Sequence, residues 1–111
     1  MSYDISLFSR VPGAFVEKTE LTKHLVQLGW RPDRENHFLI QVTDDVSADM
    51  DLAWLENGIF REPGNQVNCL QVHIPYALLK SSPTETLKRC QEIAKALDWR
   101  IYDEQEGAYL R

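Results

Sequence analysis

The sequence predicts an α+β fold, in which two helices cover one face of a mainly antiparallel sheet. Strand-like segments alternate with two amphipathic helical segments in the order β-α-β-β-β-α-β, and short turn sequences separate neighbouring strands. A ferredoxin-like variant with one additional strand has this order. Within 111 residues we find no repeat, low-complexity tract or linker, so we expect a single domain over residues 1–111.

The chain begins with a strand and a helix. Alternating apolar and polar residues predict a strand over Tyr3–Phe8, which a following Pro-Gly pair ends. Leucines at helical spacing predict a helix near residues 19–29, with Gly29 as its left-handed stop and Trp30 folding back on the last turn. The next alternating segment predicts a strand over His37–Thr43.

The middle of the chain predicts a hairpin. Asp44–Asp51 is interpreted as a connection, and two antiparallel strands follow at Leu52–Arg61 and Gln66–Ile74. The Pro63-Gly64 pair fits a type II turn between them, which would leave the competing Asn57-Gly58 signal as a bulge. The second strand changes its apolar face along its length, which predicts a bulge or burial on both faces.

The last third predicts a helix followed by two strands. Ser82 as N-cap, with Glu85 completing a capping box, predicts a helix over 83–97. Trp99–Tyr102 predicts the next strand, and a glycine-containing turn leads to a short terminal strand at Ala108–Leu110.

Composition restricts the class of protein. Hydrophobic residues make up 43% of the chain and charged residues 26%, which is typical of a globular domain. The N-terminal segment lacks the basic start and apolar run of a signal peptide, and no stretch approaches membrane-spanning length, so we expect a cytoplasmic protein. Cys69 and Cys90 belong to no metal or redox motif and are expected to be buried thiols.

The negative charge is concentrated in one segment. Six acids and one arginine lie between residues 44 and 62, and their five net negative charges equal the formal net charge of −5. These residues are Asp44, Asp45, Asp49, Asp51, Glu56, Glu62 and Arg61. Because such a field repels phosphates and attracts cations, it favours a basic protein partner over nucleic acid.

No motif for catalysis or for a cofactor accompanies this segment. The three histidines, His24, His37 and His73, lack the close spacing of a metal motif, so no metal site is predicted. The acidic segment lacks the glycine and glutamate of an EF-hand, although weak calcium binding by a flexible loop is an alternative. Serines, cysteines and glycines form no nucleophile elbow or phosphate loop, so no cofactor and no enzymatic activity are predicted.

Both ends of the chain resemble small bacterial proteins of the immunity type, which accompany polymorphic or contact-dependent toxins. The segment YDISLF at Tyr3–Phe8 resembles their opening strand, and AKALDWRIYDEQEGAYL at residues 94–110 resembles their terminal helix, strand and glycine turn. The resemblance implies a cytoplasmic antidote that binds a toxin domain and has no catalytic residues.

We therefore expect a non-enzymatic immunity-type protein that docks an acidic segment on a basic toxin domain. The predicted partner-binding residues are Asp44, Asp45, Asp49, Asp51, Trp54 and Glu56. Trp54 and Phe60 are either interface anchors or part of the core. A small-ligand regulatory or sensory domain is the alternative, and a small enzyme using His73 and Glu56 is a third.

Overall fold

The structure is a computed structural model that describes residues 2–81 and 83–110. The strands are β1 (Ser2–Ser9), β2 (Val16–Glu17), β3 (Arg31–Arg34), β4 (His37–Gln41), β5 (Ser47–Glu56), β6 (Ile59–Arg61), β7 (Gln66–Val67), β8 (Cys69–Pro75), β9 (Trp99–Asp103) and β10 (Ala108–Leu110), and the helices are α1 (Lys18–Gln27), α2 (Tyr76–Ser81) and α3 (Pro83–Leu97). None of these helices combines the length and apolar composition that crossing a bilayer requires, as judged on the described residues.

One antiparallel sheet organises the described chain. Its strands follow the order β10-β9-β1-β8-β5-β4-β3, and β6 extends the sheet by pairing with β5. The short strands β2 and β7 pair separately. The predicted α+β class with a mainly antiparallel sheet is confirmed, whereas the ferredoxin-like assignment stays a prediction.

Strand alternation gives the sheet two different faces. Ile5, Val72, Met50 and Phe38 lie opposite one another across four adjacent strands and are all buried. The neighbouring residues along each strand point to the other face because side chains alternate. We call the buried face of the sheet the core face and the opposite one the open face.

The helices pack against the core face. Leu21 and Leu25 of α1, Leu78 of α2, and Cys90 and Ile93 of α3 belong to the same buried cluster as the core-face strand residues. This single core is the one that the leucine spacing of the sequence predicts for α1 and α3.

The end of α1 agrees with the sequence in detail. Gly29 adopts φ = 98°, a left-handed conformation that glycine tolerates without strain. The Trp30 N–H then donates to the Leu25 carbonyl at 2.9 Å, and the Trp30 side chain is only 2% exposed. Trp30 therefore closes the last turn of the helix and fills the core at the same time.

The prediction that Asp44–Asp51 forms a connection is wrong beyond Val46. The turn is short, because the N–H groups of Val42 and Thr43 both donate to the Val46 carbonyl. From Ser47 onward the chain is strand β5, which pairs with both β4 and β8. The acids conceal a period-2 pattern in which buried apolar residues alternate with aspartates on the open face.

The predicted Pro63-Gly64 turn is also wrong. The tight turn is at Asn57-Gly58, where φ is 51° and 76°, the positive values that a type I′ hairpin requires. This turn joins β5 to the short strand β6, and the Pro-Gly pair lies in the connection that follows. The long strands β5 and β8 still pair antiparallel, as expected.

The change of apolar face in the predicted strand 66–74 has a local cause at Asn68. The strand is interrupted there and divides into β7 and β8. The Asn68 side chain receives a hydrogen bond from Leu55 N at 2.6 Å and donates one to Leu55 O at 2.8 Å. A side-chain amide thus replaces the missing backbone ladder. The adjacent residues Cys69 and Leu70 of β8 are both buried, so the predicted alternative of burial on both faces is confirmed at this point.

The remaining helical predictions have mixed outcomes. The helix predicted over 83–97 is confirmed as α3, while its proposed cap, Ser82, lies outside the described residues. The sequence did not predict β2, β3 or α2. Cys69 and Cys90 are free, buried thiols as expected, and burial raises the pKa of each to about 12.

Candidate functional site

Charged side chains collect on the open face of the sheet. Two rows across the strands bring them together: Asp4, His73 and Asp49 lie opposite one another, and so do His37 and Asp51. These residues and Asp33 of β3 form a group that we call the acidic face. Its members are Asp4, Asp33, His37, Asp49, Asp51 and His73.

His73 lies between two carboxylates. Its Nδ1 is 2.8 Å from Asp4 Oδ1, and its Nε2 is 3.1 Å from Asp51 Oδ2. Ionised carboxylates only accept hydrogen bonds, so the protonated ring, in which both nitrogens are donors, satisfies both contacts. Burial alone would lower the pKa of His73, but the bond to Asp4, the charge of Asp49 and the bond to Asp51 together raise it above 6.5.

His37 joins the same group from β4. Its side chain is only 7% exposed, and its Nδ1 lies 3.1 Å from Asp33 Oδ2. Its Nε2 is 4.0 Å from carboxylate oxygens of both Asp49 and Asp51. Asp51 is therefore shared between the two imidazoles. Four carboxylates face two imidazoles and the Arg34 guanidinium, which is 4.0 Å from Asp33, so the acidic face stays negative even when both rings are protonated.

The predicted partner-binding residues divide among three places. Asp49 and Asp51 are on the acidic face. Asp44 and Asp45 are exposed in the turn between β4 and β5. Glu56, at the exposed end of β5, receives a hydrogen bond from Trp54 Nε1 at 3.2 Å. The structure thus places only two of the six predicted residues on the acidic face.

Trp54 is neither a core residue nor a fully exposed anchor. By strand alternation it lies on the side of the sheet opposite to Asp51. Its ring centroid is 6.3 Å from that of Phe15, and its side chain is half-buried. Phe60, the other candidate anchor, is 40% exposed on the short hairpin strand β6. Trp54 therefore lies apart from the acidic face, whereas Phe60 lines a polar cleft together with Asp51.

Sequence reasoning missed four members of the acidic face: Asp4, Asp33, His37 and His73. Alternation along the predicted strands already placed Asp4, His37 and His73 opposite to the apolar residues of their strands. What the sequence could not supply was the order β1-β8-β5-β4, which makes these strands neighbours. Asp33 had no such signal, because β3 was not predicted.

An aromatic group lies on the same face of the sheet, on strands β1, β9 and β10. The ring centroids of Phe8, Tyr102 and Tyr109 lie 5.3 to 6.2 Å apart, and the Arg100 guanidinium is 4.9 Å from the Tyr109 ring centroid. Tyr109 is 49% exposed. We call these four residues the aromatic corner. Phe8 and Tyr102 pack on the open face.

A polar cleft of about 390 Å³ borders the acidic face on its other side. Its lining includes Asn36, Asp51, Arg61 and Gln71. Asn36 is 9% exposed; its Nδ2 donates to Glu62 Oε2 at 2.8 Å, while its buried Oδ1 has no partner among the described residues.

The chemistry of this site is electrostatic. Over the described ranges, no three His, Cys, Asp or Glu side chains converge closely enough to hold a metal ion. Comparison with protein-family models gives no match, and neither does comparison with curated proteins. The site is therefore interpreted from its own geometry, which presents uncompensated carboxylates on an extended, accessible sheet surface.

Proposed function

We propose that this chain is a non-enzymatic, immunity-type protein that neutralises a toxin domain by docking its acidic face on a basic surface of that domain. The observation that carries the proposal is the excess of carboxylates over imidazoles on the open face. Asp33, Asp49 and Asp51 are each about 40% exposed, so a partner can reach their oxygens. Cytoplasmic residence belongs to the same proposal.

The surroundings of the acidic face support a protein partner rather than a small cation. Asp44 and Asp45 extend the negative field past one end of the sheet. The aromatic corner adds exposed apolar surface on the same face as the charges, and tyrosine is enriched among residues that dominate binding energy. Charged residues then accelerate encounter with a basic partner, while aromatic contacts slow its dissociation.

The test begins with affinity capture from the native host, followed by association kinetics with the purified basic protein. Asp49→Asn/Asp51→Asn should slow association about 3- to 10-fold at low salt and flatten its salt dependence. The matched control, Glu20→Gln/Glu85→Gln, removes the same charge from exposed helix positions and should change the association rate much less. Equal association rates for the two double variants would show that the acidic face is not the docking surface.

Trp54 provides a separate arm of the same experiment. Because it lies on the other side of the sheet, Trp54→Ala should leave dissociation of the partner unchanged, whereas Tyr109→Ala should accelerate it. Neutralisation of the toxin in co-expressing cells then reports whether docking is also inhibition. Failure to capture any basic protein would count against the proposal.

A small-ligand sensory domain is the second candidate. It combines the ferredoxin-like interpretation of the element order with the cleft whose wall contains the unpartnered Asn36 Oδ1. A thermal-shift screen of amino acids and nucleotides tests it. A ligand that stabilises the wild type and loses its effect in Gln71→Ala would favour the sensory domain over the immunity protein.

A further inference from the structure

His73 fills a cation site that the strands build on the acidic face. Carboxylates flank it on both neighbouring strands, Asp4 on β1 and Asp49 and Asp51 on β5. Both of its ring nitrogens are engaged by carboxylate oxygens. The ring therefore occupies, with its positive charge, the position from which a lysine or arginine would also reach Asp51.

We propose that a cationic side chain of the partner replaces the protonated edge of His73 at Asp51, so that docking expels a proton from this histidine. The inference rests on the proposed function and names the regulation of its docking site. The proton leaves Nε2 for the solvent, and Nδ1 keeps its proton for Asp4. Asp51 exchanges the hydrogen bond from Nε2 for one from the ammonium or guanidinium of the partner.

The two contacts of His73 indicate which nitrogen loses its proton. The contact to Asp4 is the shorter, 2.8 Å against 3.1 Å for Asp51. Asp51 also lies in the middle of the group, where Asp49 of the same strand and the imidazole of His37 on β4 face it. A cation bound between Asp49 and Asp51 repels the imidazolium from that side and favours its neutral form.

Asp33 of β3 contacts His37 Nδ1, and the Arg34 guanidinium of the same strand lies 4.0 Å from Asp33. Arg61 lines the polar cleft together with Asp51. Lysine and arginine fit better than a metal ion, since the carboxylates are spread across three strands and the described residues contain no convergent metal-ligand group. Arginine matches two separated carboxylates particularly well because its guanidinium donates along two edges.

The affinity of the protein for a cationic partner should therefore rise with pH. Release of one proton makes the association constant increase by up to tenfold per pH unit across the titration of the group involved. A partner cation that depresses the pKa of a neighbouring histidine by about one unit gives a total increase of about tenfold between pH 5.5 and 8.5.

The experiment uses decalysine as the cationic probe, because lysine side chains stay protonated from pH 5.5 to 8.5. Its dissociation constant is measured by calorimetry across this range at fixed ionic strength, for the wild type and for His73→Gln. His24→Gln, on helix α1 and away from the acidic face, is the matched control. We expect an increase in affinity of about tenfold for the wild type and for this control, and a flat profile for His73→Gln.

Nuclear magnetic resonance of the histidine Cε1–H groups gives an independent measurement on the wild type, which stays decisive if a variant does not fold. The pKa of His73 should fall when decalysine saturates the protein. An unchanged His73 pKa, or a pH dependence that persists in His73→Gln, would overturn the inference while leaving acidic docking intact. Absence of decalysine binding at every pH would overturn both proposals.

Discussion

Replacing Asn68 should destabilise the fold more than its half-buried position suggests. Its amide makes two hydrogen bonds to the backbone of Leu55, at 2.6 and 2.8 Å, where the ladder between β5 and the β7-β8 segment is interrupted. A typical hydrogen bond contributes about 1 kcal/mol net, and a buried group left without a partner costs about 1–3 kcal/mol. Water can reach part of this site, so we expect a loss of about 1–2 kcal/mol for Asn68→Ala.

Thermal melting checks this value. Unfolding entropy scales with chain length, so for 111 residues 1 kcal/mol corresponds to about 4 °C. Asn68→Ala should therefore melt about 4–8 °C below the wild type. Asn68→Asp keeps the acceptor for Leu55 N but sets a carboxylate oxygen against the Leu55 carbonyl oxygen, so it should also melt below the wild type. The exposed neighbour Gln66→Ala is the control and should melt within about 2 °C of the wild type. A wild-type melting temperature for Asn68→Ala would refute this account of the strand break.

Two further predictions concern the open face and the core. The contacts of His73 raise its pKa, so they contribute stability that is fully present below pH 6.5 and is lost as pH rises through the folded-state pKa. The difference in melting temperature between the wild type and His73→Gln should therefore shrink from pH 5.5 to pH 9. In the core, Ile93→Ala should cost about 2–5 kcal/mol in chemical denaturation because Ile93 is fully buried, and Leu87→Ala should cost less than half as much because Leu87 is partly exposed. Equal losses for the two α3 variants would contradict the packing described.

Local rules explain what the sequence predicted correctly. The strand near Tyr3–Phe8, the stop at Gly29 and the helix over 83–97 all follow from periodicity and end signals within a few neighbouring residues. Their physical causes are short-range, so they could be seen without the fold. The two turn signals were also recognised, but their ranking was wrong, because the twist of a two-residue hairpin favours the positive φ values at Asn57-Gly58.

The acidic face required information that no local pattern contains. The high charge of residues 44–51 predicts a loop, although Ala48, Met50 and Leu52 alternate with aspartates. The pairing of β8 with both β1 and β5 then brings His73 between Asp4 and Asp51, which are 47 positions apart in sequence. Strand order is set by the burial of the whole core face, so these contacts are consequences of the tertiary fold.

The arrangement of charges on the sheet separates stability from the proposed function. Like charges directly opposite each other on adjacent strands are destabilising, and here each row places a histidine opposite an aspartate instead: His73 opposite Asp4 and Asp49, and His37 opposite Asp51. This pairing removes the worst repulsion within the face but leaves carboxylates in excess. A sheet face with only a structural role gains nothing from that excess of carboxylates, because apolar or threonine pairs would stabilise the face equally well. The remaining negative charge therefore supports a surface that is held in place by its histidines and completed by the cations of a partner.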